Sequence, residues 1–421
     1  MNKPDNLAPV FAALAFAALG LQPYTRAHAD AVTDWNVIAL NATAVPPNSV
    51  LQSRALAIVH GAIYDSVRAI DQNAPAYAID LKAPAGASVD AAVAAAAYGV
   101  LVRLAPAQRP TLDAALNAAL AKVAEGRAKA DGVDLGALVA QRSVALRDTD
   151  QANISATFTP RPGVRLYQLT PPHSMPAILA QWGQVTPFVI KSSTAFEWKG
   201  PPAIGSADFA REFDEVRNLG ARHSAVRTAD QTAAAVFWTV QTAVPWHAAA
   251  RAAAAAQGTT LADNARLFAV LSMATADSQI VTFAEKYKNP HWRPITAIRG
   301  AAGLGVAALK ADPDWEPLLG TPPHPEYPSA HAAFSGAAEA VLTKFFGADA
   351  VRVSVTFPPV FGITRSYTRF SQISEEVDNA RVWGGIHFRS ANRDGIAVGR
   401  RIGEVVLRDF PRPAESIAGG R

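Results

Sequence analysis

An all-α fold, a C-terminal helical bundle with an additional N-terminal helical layer, is what the sequence predicts, on three observations. Half of the residues are apolar but only 8% are aromatic, and with abundant alanine that favours helices packed through small side chains over a β-sandwich. Apolar residues recur at helical spacing through most of the chain, the pattern of a helix with one buried face. Strand signals are sparse, with Val351 to Thr356 the best candidate.

In chain order, residues 1–29 read as a secretory signal. Lys3 gives a weakly positive start, and Leu7 to Leu21 is an apolar run too short to span a bilayer comfortably. Ala27-His28-Ala29 supplies the small-x-small pattern before a cleavage site. A retained membrane anchor is the alternative. On the signal reading the mature chain begins near Asp30 and is exported, to the periplasm or beyond, and no later stretch is expected to span. The 421 residues contain no cysteine, which suits an oxidising compartment and excludes disulfides, thiolate metal sites and a cysteine nucleophile. A formal charge of +4 without a long basic run argues against nucleic acid as a partner. It suits a small anionic ligand without deciding for one.

Helical spacing covers Ser49 to Ile70, and Ala-rich helices are expected over Ser88 to Leu104, Pro110 to Ala124 and Asp134 to Arg147. From about 155 to 205 prolines recur among Trp182, Phe188, Phe196 and Trp198. A segment so irregular yet so aromatic is expected to wrap over the core. It joins an N-terminal helical region, 30–205, to a C-terminal bundle, 206–421. Helices are predicted there at Ser206 to Leu219, Thr228 to Val240, Leu261 to Tyr287, Ala330 to Phe346, Arg369 to Trp383 and Ser390 to Asp409.

Three short segments place a cation, hydroxyl or histidine at a helix boundary. In the first, Asn289-Pro290 ends a helix and Pro294 opens the next, so Lys286 and Arg293 flank a break and can converge on an oxyanion. In the second, Pro328-Ser329-Ala330-His331, Ser329 reads as an N-cap. The N–H groups at 330 and 331 then face an anion. The helix dipole disfavours protonation of His331, leaving a neutral imidazole able to act as a general base. In the third, Arg381 and His387 would diverge by roughly 120° on a straight helix, but Gly384-Gly385 lets the helix stop and restart. Singly, each segment also reads as ordinary helix-boundary chemistry. In this order they reinforce one another.

Together these segments resemble the signature of the type 2 phosphatidic acid phosphatase and vanadium haloperoxidase superfamily, Lys-x6-Arg-Pro, Pro-Ser-Gly-His and Ser-Arg-x5-His. Asp30 to Asn36, the Ala57 to Ala69 helix, Gln181 to Phe188 and Gly384 to Arg389 look like its secreted bacterial haloperoxidase branch, so the resemblance covers essentially the whole mature chain. It implies the bundle of that superfamily and vanadate as cofactor. His387 would be the vanadium ligand, Lys286, Arg293 and Arg381 would hold the equatorial oxygens, Ser329 and the Ala330 N–H would add hydrogen bonds, and His331 would be the acid–base group. Hydrogen peroxide, a halide and a small organic substrate would be the partners. Five-coordinate vanadate has the shape of a phosphoryl-transfer transition state, so an acid phosphatase with His387 as nucleophile shares the pocket. A non-catalytic oxyanion-binding protein is the third reading.

The sequence departs from the pattern in three places. Ala330 replaces the usual Gly, Ala380 the usual Ser, and Ala391 stands where an Asp often orients the third-segment His. The last weakens the phosphatase reading, because an attacking His needs its orienting partner more. Among other residues, His60 reads as a satisfied core histidine and Lys288 as solvent-facing. His291 and Trp292 are candidates for pocket lining or packing, Phe283 for flanking the halide, and His324 for a loop role. Glu375, Glu376 and Asp378 read as a solvated face or as counter-charges to an arginine.

Overall fold

The structure, a computed structural model, describes residues 30–45, 48–239, 241–357 and 362–411. The signal reading falls on residues outside these. The N-terminal layer comprises α1 (Ala31–Ala42), α2 (Ser49–Asp71), α3 (Val89–Leu104), α4 (Arg109–Leu120) and α5 (Arg127–Ala145). The bundle comprises α6 (Ala207–Leu219), α7 (Ala229–Phe237), α8 (Ala243–Gln257), α9 (Leu261–Lys288), α10 (Pro294–Arg299) and α11 (Ala330–Phe346), then a hairpin of β1 (Ala350–Thr356) and β2 (Thr364–Arg369), then α12 (Phe370–Trp383) and α13 (Arg389–Asp409). The hairpin is antiparallel, with Val353 opposite Tyr367 and Val355 opposite Arg365.

The 28-residue α9 is the axis. It packs on α2 from the N-terminal layer and on α11 and α13 from the bundle. One apolar core therefore runs from α2 and α3 through α9 to α11 and α13, across the expected join near residue 205. The expectation that no later stretch could span a membrane needs correcting: α9 is long and apolar enough by length and composition. Its apolar character reflects burial on all sides by protein, as for any central core helix.

Small residues bring α11 and α13 into close contact. Gly395, Gly399 and Gly403, one per turn of α13, face the backbone of Ser329, Ala333 and Ala337 on α11. That contact sets how the start of α11, which carries Ser329 and His331, lies against the start of α13, which follows His387.

Between α5 and α6 the chain is irregular apart from one 3-10 turn at Trp182–Gln184, and it does wrap over the core. Asp277 of α9 fastens it, accepting from the N–H groups of Phe188, Val189 and Ile190 at 2.6, 2.9 and 3.0 Å. The strap also lies directly on two of the signature segments. The Tyr167 N–H donates to the Pro290 carbonyl and the Ile178 N–H to the Pro323 carbonyl, both at 2.9 Å. The Gly200 N–H donates to the Tyr327 hydroxyl at 2.8 Å.

Candidate functional site

Each signature segment falls on a helix boundary. α9 stops at Lys288, and Pro294 sits in the first turn of α10. Ser329 occupies the N-cap position of α11 by backbone conformation, but its hydroxyl makes no capping bond. α12 stops at Trp383 and α13 begins at Arg389. Between them Gly385 takes φ +76° with its Cα against the Gly220 carbonyl, a place where a Cβ would lie 2.4 Å from that oxygen. Only glycine meets both conditions without strain.

The turns bring the cations together in the interior. Lys286 and Arg293 are fully buried and Arg381 is 2% exposed. Lys286 Nζ donates to the carbonyls of Pro325 and Glu326 at 2.8 and 2.9 Å. Arg293 donates to the His324 carbonyl through Nε at 2.9 Å and to the Ile386 carbonyl through Nη1 at 2.8 Å. Arg381 Nη1 donates to the Trp238 carbonyl at 2.5 Å. Arg293 thus ties the first segment to the approach of the second and to the third.

Electrostatics show how close the groups are. Burial, reinforced by Arg293, holds Lys286 well below its ordinary value. Burial lowers Arg293 to about 10, and burial with Arg293 lowers Arg381 to about 9. Burial and then Arg293, Lys286 and Arg381 hold His387 well below the ordinary histidine range, so it is neutral. Arg293 raises the cost of charge on both Lys286 and Arg381, which is the condition an anion relieves.

His387 is 2% exposed. Its Nδ1 lies 2.9 Å from Glu326 Oε1 and its Nε2 3.3 Å from Arg293 Nη1. The same Glu326 oxygen accepts from the Phe388 N–H at 3.0 Å. Glu326 is 2% exposed, and burial pushes its carboxyl up to about 7 against the pull of Arg293 and Lys286. Ala391, where the resembled pattern often has Asp, is buried, and its carbonyl accepts from the Ser329 N–H at 3.0 Å. Asp394 accepts from the Tyr327 hydroxyl instead, at 2.5 Å.

Around the second segment, Gln279 of α9 donates to the Ala330 carbonyl at 3.0 Å. His331 lies in the first turn of α11, half-buried, close enough to His324 to act on it electrostatically. The Ser329 hydroxyl and Arg381 Nε are buried polar atoms with no hydrogen-bond partner. Two donors left unpaired beside clustered cations cost free energy unless an acceptor meets them. A tetrahedral oxyanion such as vanadate or phosphate fits this donor set. Among the described residues no cluster of His, Cys, Asp and Glu could hold a simple metal cation.

Several sequence expectations need adjusting. His324 is more than a loop residue, since its Nδ1 lies 3.0 Å from Arg293 Nη2 and its ring centroid 5.1 Å from that of Phe283. Phe283, one turn before Lys286, is buried with Lys286 Nζ 6.0 Å from its ring centroid. Trp292 packs in a second apolar cluster with Phe209, Phe213 and Ile295, while the His291 ring meets Tyr327 edge-on. Glu376 and Asp378 are half-buried rather than a solvated face, pairing with Arg365 and Arg389 and not with Arg381. His60 is only partly satisfied: Nε2 meets Asn36 at 2.9 Å and Nδ1 has no partner. Glu326 was missed altogether. Its only sequence signal is an acid in the proline-rich approach to Ser329.

Fold and site together define a helical-bundle protein with a buried cluster suited to an oxyanion. A family profile for the VCPO second helical-bundle domain matches residues 266–415. The vanadium chloroperoxidase of Curvularia inaequalis is 35% identical over 97 residues, 20% of this chain and 15% of that relative's length. The chain thus aligns with only a small part of that curated relative. Among solved structures, a bacterial vanadium-dependent iodoperoxidase superposes with a TM-score of 0.78 at 26% identity, covering 92% of this chain and 97% of the other. The holo form of a bacterial vanadium-dependent chloroperoxidase superposes with a TM-score of 0.67 at 16% identity, covering 92% and 94%, a likeness of fold alone. The C-terminal bundle thus matches the VCPO second helical-bundle domain, and the chain as a whole is similar in fold to bacterial vanadium-dependent haloperoxidases.

Proposed function

We propose that this protein is an exported vanadate-dependent haloperoxidase, an enzyme that oxidises halide with hydrogen peroxide and passes the product to a small organic acceptor. The observation that carries the reading is the buried His387 ring, oriented by Glu326 and reached by Arg293, with Lys286 and Arg381 buried nearby. Lys286, Arg293 and Arg381 would neutralise the oxygens of vanadate, with donation from the Ser329 hydroxyl and the Ala330 N–H, while His387 Nε2 would be the ligating nitrogen. Bound there, vanadate supplies Lewis-acid activation of peroxide without changing its oxidation state. The chain's own contribution is to bind, orient and exclude water. His331, half-buried at the start of α11, would take a proton from incoming peroxide.

The test is a halide series, chloride, bromide and iodide, with peroxide and a halogenatable dye, each with and without orthovanadate. Vanadate-dependent halogenation that disappears in His387→Ala is the expected result. Full activity in that variant would sink the assignment.

A second reading, an acid phosphatase with His387 as nucleophile, is favoured by one observation. The partner that Ala391 cannot supply is present as Glu326, so the ring has the orientation an attacking imidazole needs. Hydrolysis of an aryl phosphate without halogenation under any halide would select it. Binding of vanadate with neither turnover would select a non-catalytic oxyanion-binding protein.

A further inference from the structure

Two hydrogen bonds fix the protonation pattern of His387 independently. A guanidinium has donors only and a carboxylate acceptors only. Arg293 Nη1, 3.3 Å from His387 Nε2, therefore requires a lone pair on Nε2. Glu326 Oε1 already accepts from the Phe388 N–H, so at 2.9 Å from His387 Nδ1 it is the acceptor there too and the proton lies on Nδ1. Both bonds demand the same tautomer, which leaves Nε2 as the nitrogen facing the cations.

Glu326 acts on the site in three ways. Its Oε1 holds the ring and, through the Phe388 N–H at 3.0 Å, the backbone beside the ring. Its own carbonyl accepts from Lys286 Nζ at 2.9 Å. A carboxyl group 2% exposed whose ion-pair contact, among the described residues, is to His387 is an expensive way to build a loop tether, since burying an ion costs several kcal/mol. A neutral side chain would tether the loops at less cost. The Glu326 charge also offsets Lys286 and Arg293, but its side-chain hydrogen bonds go to the His387 ring and the backbone beside it, the arrangement by which carboxylate partners hold a ligating histidine in one tautomer and make it a better ligand.

We propose that Glu326 is the positioning residue for His387. It fixes the Nδ1–H tautomer and presents the Nε2 lone pair to the oxyanion, in place of an Asp at position 391. The assignment of His387 as the vanadium ligand is the reading on which this rests.

The test uses the full chain without vanadate and then with it. In ligand-free protein labelled with 15N-histidine, the His387 ring is expected as the pure Nδ1–H form. Glu326→Ala is expected to give a mixture of tautomers. Orthovanadate affinity, measured by equilibrium dialysis, is expected to fall about 10- to 100-fold in Glu326→Gln, the range typical of such partners. Gln keeps the shape and can still accept both bonds, so a mere tether would leave the affinity unchanged, and that result overturns the proposal. So does a wild-type ring found as Nε2–H. If Glu326→Ala does not fold, the near-isosteric Gln variant and the wild-type ring spectrum decide alone. Wild-type protein that binds no vanadate but has the expected tautomer would remove the cofactor reading and leave the positioning of His387 standing.

Discussion

Replacing Gly399 by Ala should destabilise this protein, although the same change in an ordinary helix stabilises it. In a free helix interior the substitution is worth about 1 kcal/mol in favour of Ala. At Gly399 an added Cβ would lie 2.2 Å from the Ala333 carbonyl oxygen, 2.9 Å from its carbon and 3.0 Å from Cα. Ordinary contact begins near 3.4 Å, and all three atoms are backbone, so no side chain can swing aside. α11 and α13 must part locally by on the order of 1 Å, an overpacking that costs about 1–3 kcal/mol and sometimes more. Because the opposing atoms are all helix backbone of Ala333, the upper end applies, giving a net loss of about 2 kcal/mol after the helix-propensity gain. Urea unfolding of Gly399→Ala beside Gly303→Ala is the assay. At Gly303 nothing lies within 4 Å of an added Cβ, so that control should stay within about 0.5 kcal/mol of wild type. If Gly399→Ala unfolds at the same urea concentration as wild type or higher, the packing argument is wrong.

Two further predictions concern buried polar groups away from the site. Asp277→Ala strips the acceptor from three strap N–H groups. It should cost about 3 kcal/mol or more and open residues 155–205 to limited proteolysis first; a cleavage pattern identical to wild type would refute the anchoring role. Burial, with Arg251 beside it, pushes His60 down to about 3, whereas an unfolded chain takes up that proton near 6.5. The unfolded state therefore binds more protons between those values, and the stability contributed is whole above about pH 6.5 and lost as the pH falls towards 3. Between pH 7 and 5, His60→Gln should lose roughly 2 kcal/mol less than wild type, and equal pH slopes in urea titrations would contradict the assignment.

How legible each part was follows from the kind of interaction that makes it. Helices with a polar face, such as α6 and α12, were read within a residue or so because amphipathic spacing is a local signal. α8 was not anticipated. Its sequence is alanine-rich, with little contrast between faces, and Pro245 looks like a breaker, although it lies in the first turn where proline is tolerated. α5 begins at Arg127 rather than Asp134, because Gly132 and Gly136 read as helix-weakening when they are packing residues. Cβ atoms there would lie 2.4 and 2.3 Å from the carbonyls of Ser88 and Ala92 on α3. β2, rich in Arg, Thr and Ser, carries no apolar alternation, and its pairing with β1 is a tertiary fact.

The cations and histidines of the site were legible because they recur at fixed spacings on either side of helix breaks. Glu326 was not, because nothing in a linear sequence says which of 35 acidic residues faces a histidine 61 positions away. That invisible residue completes the charge arrangement. Lys286, Arg293 and Arg381 are each held by main-chain carbonyls, those of Pro325, Glu326, His324, Ile386 and Trp238. Carbonyl dipoles orient a cation without cancelling its charge, whereas a carboxylate on each would leave nothing for an anion to neutralise. The buried Glu326 carboxyl is hydrogen-bonded to His387 rather than to any of the three. Three cations against one carboxylate leave the interior positive, at a cost that isolated burial would make prohibitive. The depressed values of Lys286, Arg293 and Arg381 express that cost. On the proposed reading, an oxyanion bearing more than one negative charge would offset it and a neutral ligand of the same size would not, so the site would discriminate by charge before it discriminates by shape.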